Sequence, residues 1–125
     1  MNNKNYINKS WQDAKDGSTL KVENPFTEEI IAEVPNSSAS DVSHAVSVAK
    51  AAWKEWKMLG SLEMRDLLRE VAVKSRAHDR EIASIITAES GKPLIECLDE
   101  IEWIASIFEY YSEIGRDQRG RVVAP

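Results

Sequence analysis

The chain has 125 residues, 42% hydrophobic and 30% charged, with only 5 Gly and 4 Pro. That balance excludes disordered, collagen-like and low-complexity classes and permits one small domain or a piece of a larger one. A net charge of −5 argues against nucleic acid and anionic membrane as partners, no apolar run approaches the ~20 residues of a membrane span, and the single cysteine, Cys97, points to a reducing, cytoplasmic setting.

The first ten residues are polar and Asn-rich, without the character of a signal peptide. Short β-prone runs follow. Tyr6-Ile7 and Trp11 come first, then the turn signal Lys15-Asp16-Gly17-Ser18. Thr19-Leu20-Lys21-Val22-Glu23 alternates apolar and polar residues and reads as a half-buried strand. Asn24-Pro25 marks a turn, because the proline pushes its predecessor out of the helical region. Glu29 to Val34 is a further strand, stopped at Pro35. Residues 1–39 therefore read as strand, hairpin and strand.

The period turns helical beyond this point. Ser40 and Asp41 are N-cap candidates for a first helix. Val42, Ala45, Val46, Ala49, Ala52, Trp53 and Trp56 share one face and read as core, while Lys50, Lys54 and Lys57 line another. Gly60 reads as the residue just past the helix end. A second helix begins near Ser61, with Met64, Leu67, Leu68, Val71, Ala72 and Ser75 inward. A break is predicted at Ala77-His78-Asp79, followed by a piece carrying Ile82, Ile85 and Ile86 and ended by Ser90-Gly91. Pro93 suits the first turn of the next helix, where its missing N–H costs nothing.

That last helix, running to about Gly115, is the most informative segment. At ~100° per residue, Leu94, Cys97, Leu98, Ile101, Ile104, Ala105 and Phe108 form one apolar stripe. Trp103, Ile107, Tyr110 and Ile114 form a second, with Tyr111 between them. Only Glu102, Ser106, Glu109 and Glu113 read as a solvated strip. A helix apolar on two sides wants cover on two sides. Residues 40–115 thus read as a helical part, and 116–125, with Val122-Val123, as the start of a strand.

The residues offer little catalytic chemistry. Gly17, Gly60, Gly91, Gly115 and Gly120 are dispersed. Gly115 to Val122 copies the glycine spacing of a phosphate-binding loop but lacks its Lys and Ser/Thr. His44 and His78 lie in different helices with no ligand set at metal spacing. Cys97 sits on the main apolar stripe beside Glu96 and Asp99, not in the electropositive setting of a nucleophile. Glu96 and Glu100 fall inside the second apolar sector. A carboxylate there needs a basic partner, for which the second helix is a source, or a cation.

Several motifs in order carry a family resemblance. Glu23-Asn24-Pro25-Phe26-Thr27-Glu28-Glu29-Ile30-Ile31-Ala32-Glu33-Val34-Pro35 resembles the N-P-x-T-G-E-x-I-x-x-V-P opening of the aldehyde dehydrogenase superfamily, with Glu28 where the family usually has Gly. Ser40-Asp41-Val42 to Trp56 is similar to that family's first helix, and Met64-Arg65-Asp66-Leu67-Leu68 to its E-R-x-x-x-L helix. Ile86-Thr87-Ala88-Glu89-Ser90-Gly91-Lys92-Pro93-Leu94 resembles its E-x-G-K-P turn, and Phe108-Glu109-Tyr110-Tyr111 and Gly120-Arg121-Val122-Val123 also fit.

The resemblance implies an α/β protein with a Rossmann-like coenzyme domain. Of it this chain is an N-terminal segment: a β-hairpin and short strands, then three to four α-helices within the coenzyme-binding domain. It implies an NAD(P)-dependent oxidation of an aldehyde to a carboxylic acid, through a cysteine thiohemiacetal, hydride transfer and glutamate-assisted thioester hydrolysis. It also implies that the catalytic and coenzyme residues lie downstream, so this chain carries none of them. NAD or NADP would serve the full-length enzyme and neither would bind this segment alone. The partners implied are the remainder of the chain and further copies in a homo-oligomer. Glu100 falls near a position where some members bind a monovalent cation. The wording around Thr87-Ala88-Glu89 leans toward semialdehyde-oxidising branches. The competing reading is a free-standing helical protein-interaction module that uses the second stripe to dock a partner helix.

Overall fold

The computed structural model describes residues 3–115. Four strands and four helices follow one another: β1 (Asn5–Ile7), β2 (Ser10–Gln12), β3 (Thr19–Glu23), β4 (Ile30–Pro35), α1 (Ala39–Trp56), α2 (Ser61–Ala77), α3 (Asp79–Ser90) and α4 (Leu94–Ile114). The chain divides into two compact units. One takes in the chain as far as Met58 together with Ala88–Gly91, the other Leu59–Thr87 and the chain from Lys92 on. The expected strand at Val122-Val123 and the glycine spacing that runs on to Val122 lie outside the described residues.

The first unit holds two separate antiparallel hairpins rather than one hairpin with flanking strands. β1 pairs β2 with Tyr6 opposite Trp11, their rings 4.9 Å apart. The connecting Asn8-Lys9 sits at φ 52° and 61°, the paired positive values of a two-residue hairpin turn. No Asn-Gly announces this turn, so the first hairpin was harder to read than the second. β3 pairs β4 with Leu20 opposite Val34 and a register shift at Val22/Glu23. The Asn24 side chain builds their turn, its Oδ1 accepting from the N–H of Phe26 at 2.9 Å and of Thr27 at 3.3 Å. Glu28 adopts φ 60°, the left-handed conformation that glycine takes freely.

α1 starts two to three residues earlier in the chain than Ser40-Asp41 suggests. Its N-cap is Ser38, and Asp41 is the third helical residue. The Asp41 carboxylate accepts from the Ser38 N–H at 2.8 Å and the Ser38 hydroxyl at 2.7 Å, and from the Lys15 N–H at 3.2 Å. These donors, Ser38 foremost, hold this buried carboxyl below the usual carboxylate range. Gly60 does not close α1. It is the extended N-cap of α2, and Lys57 caps α1.

α2 packs along α4 in the second unit. The break between α2 and α3 falls at His78, as the sequence predicts. Gly91 closes α3 at φ +73°. Among the described residues only Ala14, Ala72, Ala83, Cys97, Ile101 and Ala105 are buried apolar side chains. The interior is built mostly from small residues, while Val42, Val46, Trp53, Trp56, Trp103 and Tyr110 stand in solvent. The tryptophans read as core at Trp53 and Trp56 are therefore surface residues, Trp53 58% exposed.

Candidate functional site

α4 organises the second unit's surface. Its buried residues, Cys97, Ile101, Ala105 and Ser112, fall on one flank. The second stripe is uncovered: Trp103 is 72% exposed, and Ile107, Tyr110, Tyr111 and Ile114 are exposed with it. The first stripe is less complete than its spacing suggests, because Leu94 and Ile104 at its edges are exposed.

At the start of α4, Lys92, Glu96, Asp99, Glu100 and Trp103 line a shallow cleft of about 230 Å³. The Lys92 ammonium donates to Glu100 Oε1. Glu100 thus has a basic partner, but from the loop before α4 and not from the second helix. That carboxylate, foremost among its neighbours, holds the Lys92 ammonium above its ordinary range. The signal was present in the sequence: Lys92 lies two residues before a helix whose second turn carries Glu100.

The strip read as solvated is in fact engaged. Arg76, in the last turn of α2, grips two of its carboxylates, Glu102 and Glu109. The guanidinium draws both carboxyls below their ordinary range, and they raise its own value in turn. Sequence reasoning missed Arg76. Two glutamates seven residues apart on α4, facing a helix that ends in Lys74 and Arg76, were the available signal.

The remaining candidates stay apart. His44 is an exposed residue of α1, and His78 pairs with Glu81 at 3.2 Å. Cys97 is fully buried, with the Thr87 hydroxyl donating to its sulfur at 3.4 Å. Among the described residues no three His, Cys, Asp or Glu side chains converge to hold a metal ion. Nor is any helix among them long and apolar enough to cross a membrane. The strands form only antiparallel hairpins, so the described residues offer no strand–glycine-turn–helix cradle for a dinucleotide.

The order of these elements, two hairpins and then four helices with an E-x-G-K-P turn before the last, defines a class. Residues 11–125 match the Aldehyde dehydrogenase family, and the chain belongs to it. It is similar to the mitochondrial succinate-semialdehyde dehydrogenase of Arabidopsis thaliana, 35% identical over 119 residues that make up 95% of this chain and 22% of that protein. In structure it resembles an E. coli NADP dependent enzyme at TM-score 0.93 and 30% identity, covering 98% of this chain and 26% of that one. It also resembles succinate-semialdehyde dehydrogenase from Burkholderia pseudomallei at TM-score 0.89 and 34% identity, covering 96% and 25%. The chain thus spans about a quarter of the length of the relatives it matches, as their N-terminal segment.

Proposed function

We propose that this chain is the N-terminal structural segment of an NAD(P)-dependent aldehyde dehydrogenase that converts a semialdehyde to its carboxylic acid. The observation that carries this reading is the family match over residues 11–125 joined to coverage of about a quarter of each relative. The semialdehyde class is supported by two relatives whose names specify succinate semialdehyde. In this reading 1–39 forms the strands and hairpins, 40–115 the helical part of the coenzyme-binding domain, and 116–125 leads into downstream sequence.

In this reading the chemical steps fall to downstream sequence and not to the described residues. Their part is to present apolar surface, foremost Trp103, Ile107, Tyr110 and Ile114, to the remainder of the protein. The reading also takes the complete enzyme as a cytoplasmic homo-oligomer, and Glu100 as a carboxylate toward a monovalent cation. Glu100 shares its cleft with Glu96 and Asp99, but the three carboxylates do not converge, and Lys92 would have to withdraw from it.

The test is an assay of NAD⁺ and NADP⁺ reduction with succinic semialdehyde. The 125-residue chain gives no turnover, and the same chain continued by a downstream coenzyme loop and catalytic cysteine does. Turnover by the short chain alone would overturn the reading.

A further inference from the structure

α4 could bury either of two flanks. One carries Cys97, Ile101, Ala105 and Ser112, the other Trp103, Ile107, Tyr110 and Ile114. The first also carries the half-buried Leu98 and Phe108, so both flanks are strongly apolar, and burial free energy follows apolar area. Hydrophobicity alone therefore does not decide sharply between them. Small residues such as Ala72 and Ala105 allow two helices to approach closely, but they have little shape with which to fix rotation.

Arg76 supplies what they lack. Its Nε and Nη2 donate to Glu102 Oε2 and Oε1 at 2.8 and 2.7 Å. Its Nη1 and Nη2 donate to Glu109 Oε1 and Oε2 at 2.6 and 2.9 Å. Glu102 and Glu109 lie two turns apart along one edge of the buried flank. Around the grip, the Ser106 hydroxyl donates to Glu102 at 3.4 Å, and Arg69 of α2 approaches Glu113 at 3.8 Å. A planar guanidinium fork can hold both carboxylates bidentately, which a point-charged ammonium cannot. Turning α4 by roughly half a revolution to bury Trp103 would carry both carboxylates out of reach.

We propose that Arg76, by gripping Glu102 and Glu109 together, is a rotational key that selects which flank of α4 packs against α2 and so leaves the Trp103–Ile114 flank facing outward. Polar devices of this kind can specify an arrangement more than they stabilise it.

Cys97 reports the outcome, because it lies on the selected flank and a buried thiol reacts slowly. Its reaction with dithionitrobenzoate is followed in the 125-residue chain, with helicity read in parallel by far-ultraviolet circular dichroism. Arg76→Met raises the rate at least ten-fold with helicity retained, Arg76→Lys gives an intermediate rate, and Arg69→Met leaves it unchanged. A parent-like rate in Arg76→Met overturns the proposal. So does a parent thiol that already reacts as fast as in concentrated urea. Should Arg76→Met lose its helicity, the parent is compared in about 0.05 M and about 1 M NaCl, since salt screens the exposed grip and spares apolar contacts. Faster reaction at high salt with unchanged helicity supports the key, and an unchanged rate overturns it.

Discussion

α1 and α4 are helices of 18 and 21 residues, both with long apolar stripes, and they end in different circumstances. Along α4 one flank is sealed, with Cys97, Ile101 and Ala105 out of contact with water. Along α1 only Asp41 is buried, while Val42, Val46, Trp53 and Trp56 remain exposed. The difference lies in residue size and in what each helix meets. Small side chains on α4 admit the backbone of α2 closely, whereas the bulky stripe of α1 has no comparable neighbour among the described residues of its own unit. An apolar stripe states where a helix wants cover. It does not say whether the cover is in the same chain.

Substitution can break this contrast most strongly at Ile101, the largest fully buried side chain described. Ile101→Ala is expected to cost about 2–5 kcal/mol, read from the urea midpoint. Trp53→Ala, a larger truncation on the exposed stripe of α1, should stay within about 0.5 kcal/mol. Equal losses at the two positions would abolish the distinction between sealed and unsealed flanks.

The turn after α3 should respond next. Gly91 sits at φ +73°, and a Cβ there would stand 3.1 Å from Pro25 Cγ. Gly91→Ala is expected to cost about 1–2 kcal/mol for the left-handed backbone, plus whatever the proline cannot yield. The β3–β4 turn predicts the opposite sign. Glu28 already holds φ 60°, so Glu28→Gly should stabilise by about 1 kcal/mol in thermal unfolding.

Acid gives the smallest effect at ordinary salt. Arg76 lowers the Glu102 and Glu109 carboxyls in the folded chain, so their contribution is complete above the ordinary carboxylate value. It is lost as pH falls through the lowered folded values. Urea titrations at stepped pH should show this loss in the parent and a flatter profile in Arg76→Met.

Much of the fold was legible because local chemistry and periodicity agreed. Thr19–Glu23 announced itself by alternation, the helix break at His78 by its flanking Ala77 and Asp79, and the end of α3 by Gly91. The resemblance placed the family through the run from Glu89 to Pro93. Other features depend on long-range geometry. A Lys at a positive-φ turn position concealed the first hairpin, and a serine two residues earlier than Ser40 took the cap. Trp53 and Trp56 were read as core because periodicity sees the stripe and not the neighbour. At the candidate site, the need of Glu100 for a basic partner was legible from its apolar sector. That partner's identity, and the grip of Arg76, required knowing which residues the loops and helices bring together.

The carboxylate of Asp41 has a further consequence for how far the N-terminus can be trimmed. It receives the backbone N–H of Lys15, 26 residues upstream, beside the buried Ala14. The β1–β2 hairpin reaches this region through the Asn5 amide, which donates to the Ser37 hydroxyl at 2.7 Å. A cut just before Ala14 would spare the start of α1, while a cut two or three residues later would strip a donor from an enclosed charge. The front limit for trimming is thereby set by a helix's first turn, to which the leading hairpin is tied by the Asn5 amide.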